Sequence, residues 1–131
     1  MQLEKTYELP FAVDVVYSAW VSSATVIPPA TAMDVKPEVG GHYRLIMETA
    51  DFTGRNDGVF SRVEPNQRVT YTWQWNNDGE VTEIDVRFCK VGSGTRLELR
   101  HSGFQSQNSV DNHDMGWDSY IQGFTDYLRA R

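Results

Sequence analysis

The chain has 131 residues, of which 40% are hydrophobic and 23% charged, and a formal net charge of −6 at pH 7. That length suits one domain spanning residues 1–131, able to bury a core without disulfides or a structural metal. An acidic chain without clustered Lys and Arg excludes a phosphate-backbone partner, so no nucleic acid is expected.

The opening "QLEKTYEL" alternates as a strand, with Leu3, Lys5, Tyr7 and Leu9 on one side, and Pro10 stops it. No apolar run of signal-peptide length occurs here, and none elsewhere approaches the ~20 residues of a membrane span. "VDVVYSAW" follows with Val13, Val16, Tyr17 and Trp20 at the spacing of one helical face. "IPPAT" breaks any continuation, and a broken, short helical segment is expected before the strands.

From Met33 to His101 the period changes to two. After the "GG" turn, "HYRLIM" sets Tyr43, Leu45 and Met47 on one face, and "GVFSRV" runs to the turn "EPNQ". "RVTYTWQW" puts Val69, Tyr71, Trp73 and Trp75 together, and "NNDG" reads as a hairpin turn. "VTEIDVRF" aligns Ile84, Val86 and Phe88, while "TRLELRH" aligns Thr95, Leu97, Leu99 and His101. The chain then returns to helical spacing from about Asp111 to Leu128, with Val110, Trp117, Ile121, Phe124 and Leu128 on one stripe. These elements predict an antiparallel sheet of six or so strands whose apolar face is covered by the last helix.

Several residues bear on chemistry. His101 is the one ionisable side chain on an otherwise apolar strand face, fit for acid–base work or for a buried structural role. His42 and His113 read as solvated, the first at a turn edge and the second in a loop or helix start. Asp111, Asp114 and Asp118 cluster at the helix start, and the first two read as exposed partners of the helix dipole. The lone Cys89 has no intrachain partner, which fits a reducing, cytoplasmic location, and it reads as a half-buried strand residue. No His or Cys recurs at metal-ligand spacing, so neither a metal nor a cofactor is expected. Gly116 and Gly123 each cost the last helix about 1 kcal/mol relative to alanine, so they either leave room for a ligand or allow close packing.

The strand–helix start with Pro10, "VGGHYRLIM", "TYTWQW", "TRLELRHSGF" and the "GW" of the last helix together resemble one family, the activator of Hsp90 ATPase homologue 1-like domains. These belong to the START-like, Bet v 1-type helix-grip superfamily. The resemblance implies an α+β helix-grip fold, a curved antiparallel sheet wrapped around a long C-terminal helix, with an apolar cavity between. It further implies that Tyr43, Met47, Trp73, Trp75, His101 and Phe104 face a ligand from the sheet side, and Trp117, Tyr120 and Phe124 from the helix. Relatives often carry a tryptophan pair after the first helix; "SSATVIPPATAMDVKP" has none.

The expected function is binding of a small hydrophobic or aromatic molecule without catalysis, by a monomer or weak homodimer acting away from membranes. His101, Tyr120 and Tyr43 are the polar groups expected to orient it. Two alternatives stand beside it. One is a cyclase- or aromatase-like enzyme using His101 as its acid/base. The other is an Hsp90 co-chaperone, which ranks lowest because the larger activators pair this domain with a second one that is not expected here.

Overall fold

A computed structural model describes residues 1–131. In chain order the elements are β1 (Gln2–Leu9), α1 (Val13–Trp20), β2 (Ala32–Val35), β3 (His42–Glu48), β4 (Thr53–Glu64), β5 (Arg68–Trp75), β6 (Thr82–Val91), β7 (Gly94–Ser102) and α2 (Gln107–Arg129). The strands form one antiparallel, seven-stranded sheet in the order β1-β7-β6-β5-β4-β3-β2. The expected α+β helix-grip architecture is what the chain adopts.

Local chemistry explains the joints. At the β5–β6 hairpin, Asn76 and Asn77 take φ of 48° and 55°, a left-handed pair that asparagine tolerates best among residues with a side chain. Ser106 begins α2: its hydroxyl accepts from the Ser109 N–H at 3.1 Å. That cap starts the helix at Gln107, four residues before the expected Asp111. Between α1 and β2 no short helical segment forms; the stretch is turn and coil, and the short edge strand β2 follows it. β4 begins at Thr53, well before "GVF", because its first residues pair with the end of β3.

The sheet's inner face is covered unevenly. α1 buries Val16, Tyr17, Ala19 and Trp20, and its backbone approaches the sheet at β6 and β7. α2 buries Val110, Trp117, Ile121, Phe124 and Leu128, and its closest backbone approach is at β1. Trp20 is the centre of this packed half. Its ring meets Phe124 at 5.4 Å and Phe88 at 6.1 Å, both edge-on, and its indole N–H donates to the Tyr71 hydroxyl at 3.2 Å. Over β3–β5 no helix comes as close, and the space there is a cavity.

Candidate ligand cavity

The cavity measures about 540 Å³, within the usual range for small-molecule sites. Its sheet wall is Tyr43 and Leu45 from β3 with Trp73 and Trp75 from β5. Its helix wall is Asn112, His113, Gly116, Trp117, Ser119 and Tyr120 from α2, and Ile27–Ala30 close a third side. Period-two alternation aims the β5 rings inward, and 3.6-residue spacing brings Trp117 and Tyr120 to face them. Trp73 and Trp75 meet edge-on at 5.6 Å, while Trp117 lies flat on Trp20 at 6.0 Å with 10° between planes. Trp117 and Trp73 are therefore held by aromatic packing around them, while half-buried Trp75 meets only the Trp73 ring.

Among the residues expected at a ligand, Tyr43, Trp73, Trp75, Trp117 and Tyr120 line the cavity. Met47, His101, Phe104 and Phe124 do not. Met47 lies over Gly54 at the far end of β3, and Phe124 is fully buried against Trp20. Phe104 packs on the His101 ring at 4.5 Å.

His101 is fully buried, and both its nitrogens are occupied. The Trp117 indole N–H donates to Nδ1 at 3.1 Å; an indole can only donate, so Nδ1 carries no proton. Nε2–H then donates to Thr82 Oγ1 at 2.6 Å, and that hydroxyl donates to the Trp73 carbonyl at 3.0 Å. The tautomer is inferred from this network. Burial, and next the charge of nearby His113, push the pKa of His101 down to about 3. The ring is a neutral strut holding Trp117 in the cavity wall.

Three other expectations are corrected. His113 is not a solvated loop residue: it is half-buried on α2, lines the cavity, and pairs Nδ1 with the Ser109 carbonyl at 2.8 Å. His42 is half-buried at the start of β3, with Nε2 2.8 Å from Asp34 of β2. The Asp cluster does not sit in the first turn of α2, since the helix starts earlier. Asp114 and Asp118 instead hold Lys5, whose ammonium contacts the Asp114 carboxylate and lies 2.6 Å from Asp118. The Tyr7 hydroxyl also donates to Asp118 at 2.9 Å.

The opposed glycine readings divide. A Cβ on Gly116 would meet nothing within 4 Å, so that position opens into the cavity. A Cβ on Gly123 would stand 2.5 Å from Ile27 Cγ2, so that position admits the loop. Sequence reasoning missed Ile27–Ala30 as lining, because prolines announce only where a helix stops. Cys89 donates to Glu98 at 3.3 Å, and burial raises its thiol pKa, so it stays protonated.

A curved antiparallel sheet, a long helix laid across it and an apolar chamber between them define the helix-grip class. Within that class the chain belongs to the family described as Activator of Hsp90 ATPase homolog 1-like protein, whose sequence model matches residues 10–129. Among solved structures it is similar to protein MLL2253 of Mesorhizobium loti, with 20% identity, a TM-score of 0.85, and coverage of 99% of this chain and 98% of that one. An AHSA1-like protein of Aeromonas hydrophila gives 21% identity and a TM-score of 0.83 over 99% and 93% of the two chains. DynU16, titled a putative protein in the dynemicin biosynthetic locus, gives 19% identity and a TM-score of 0.83 over 98% of this chain and 47% of that one. No curated protein matches the sequence. No helix is long and apolar enough to cross a membrane.

Proposed function

We propose that the chain binds a small hydrophobic or aromatic molecule in the cavity and does no chemistry on it, acting in the cytoplasm as a monomer or weak homodimer. The observation that carries this is the 540 Å³ chamber walled by Trp73, Trp75, Trp117, Tyr43 and Tyr120, into which Gly116 opens without a side chain. Flat rings with few polar tips favour an apolar, aromatic guest. The likeness to DynU16, a putative protein of a biosynthetic locus, accords with a small molecule as the partner.

The enzymatic alternative shifts to a different residue. His101 has no free nitrogen and no access to the cavity. His113 lines the cavity, and with Nδ1–H on the Ser109 carbonyl its Nε2 is left as a free acceptor. If turnover is found, His113→Asn abolishes it and His101→Asn does so only by disturbing Trp117. The co-chaperone reading rests on the family description alone.

Titration with the uncharged probe N-phenyl-1-naphthylamine tests the main reading. Saturable binding with quenching of tryptophan emission is expected, and a co-purifying aromatic molecule in native mass spectrometry would name the class of guest. Absence of saturable binding overturns the reading.

A further inference from the structure

β4 gives the concave face of the sheet little bulk. Its inward positions run Gly54, Asn56 and Gly58 before Phe60, and register sets the first three opposite Met47, Leu45 and Tyr43 of β3. On its other side Asn56 pairs with Trp75 of β5. Two cavity-wall residues, Leu45 and Trp75, therefore flank it. Asn56 is 0% exposed, yet neither its amide nitrogen nor its carbonyl oxygen meets a protein partner. The indole N–H of Trp73, in the same wall, is likewise buried and unpaired.

A buried amide without partners is costlier than a hydrocarbon of the same shape. Leucine would fill the position between Leu45 and Trp75 at lower cost, so packing does not account for asparagine. Together the two side chains offer donors from Asn56 and Trp73 and an acceptor from Asn56. No Lys, Arg, Asp or Glu lines the cavity, so an ionic head group there would be buried without a fixed countercharge.

We propose that Asn56 and Trp73 are ligand-recognition residues, and that the ligand is an uncharged aromatic molecule bearing a donor beside an acceptor, as in a carboxamide, lactam or hydroxy-ketone. This rests on the cavity reading above and narrows it. The guest's rings lie among the tryptophans, and its polar edge reaches Asn56 as half-buried Trp75 turns aside.

Two matched probes test it: 2-naphthamide, which has the donor–acceptor pair, and 2-isopropenylnaphthalene, which has the same shape without it. Dissociation constants are measured for the native chain and Asn56→Leu, with melting temperatures of both. The substitution is expected to weaken 2-naphthamide by about tenfold or more, to leave the hydrocarbon within about threefold, and to raise the melting temperature. In the native chain the side-chain amide resonances of Asn56 should shift saturably with 2-naphthamide alone, a readout independent of whether the variant folds. Equal loss for both probes, unmoved amide resonances, or a lowered melting temperature overturns the proposal while the cavity reading stands. If the hydrocarbon fails to bind the native chain, the cavity reading falls and this inference falls with it.

Discussion

Trp117 donates its indole N–H to His101 Nδ1 across 3.1 Å, so the orientation of a cavity wall depends on a buried imidazole staying neutral. Protonating Nδ1 would set two donors against each other.

The first prediction is a pH dependence. Folded His101 titrates near 3 rather than its ordinary 6.5, so below about pH 6.5 the unfolded chain takes up a proton the folded one refuses. Stability is complete above that pH and falls as pH drops towards 3, by up to about 1.4 kcal/mol per pH unit. Asp57, Asp85 and Asp118, held below the usual carboxylate value by their partners, lose their contribution only at lower pH. Melting curves from pH 7 to about 4.5 should therefore slope downwards, and His101→Asn should flatten them. An unchanged slope in the variant would sink the assignment.

The glycines of α2 should respond with opposite signs. Gly116→Ala adds a methyl group to open space, so it should gain about 1 kcal/mol of helix propensity while weakening N-phenyl-1-naphthylamine. Gly123→Leu drives a side chain into Ile27, and overpacking of that kind costs about 1–3 kcal/mol, enough to lower the melting temperature by several degrees. Two shifts of the same sign would contradict the placement of Ile27.

A third expectation concerns alkali. Burial first, and neighbouring phenols second, raise Tyr43 and Tyr120; burial likewise raises Tyr71. In the unfolded chain these phenols ionise near pH 10, so their stabilising effect is full below that pH and is lost above it. The tyrosinate absorbance of these residues should appear together with the loss of circular dichroism. Ionisation that precedes unfolding would show the phenols to be solvated.

Much of this was legible beforehand, for reasons that can be located. On β5 and β7 the apolar period of two ran unbroken, so Tyr71, Trp73, Leu99 and His101 were placed inward correctly. The α2 stripe was equally clear, because Trp117, Ile121, Phe124 and Leu128 recur at helical spacing. What stayed hidden depends on contacts between distant segments. That Ile27 meets Gly123, or that Thr82 and Trp117 occupy both nitrogens of His101, follows from register and packing that no local window contains. Asn56 was passed over because the expected strand began only at Gly58: "TGRND" carries no apolar alternation, and it is pairing with β3 that makes it a strand.

The Lys5 cluster supplies a fourth prediction. Lys5 of β1 is 15% exposed and holds both Asp114 and Asp118 of α2. Lys5→Gln should cost about 0.5–1.5 kcal/mol, and the loss should shrink in roughly 1 M salt, since the carboxylates are half-exposed and screened. A salt-independent loss would mean that the lysine stem, rather than its charge, matters.

The strand order carries a consequence for how the chain reaches this state. β2 to β7 are neighbours in both sequence and space, so each can zip onto the one before it with little loop to close. β1 alone breaks the sequence, setting Gln2 opposite Ser102. On a ribosome it must wait unpaired until nearly all the sheet has emerged, and α2 can grip β1 through Lys5 only after that. One edge strand of the sheet is thus made well before the strand it pairs with and is among the last to dock, and any protease or chaperone acting during synthesis meets that segment unpaired.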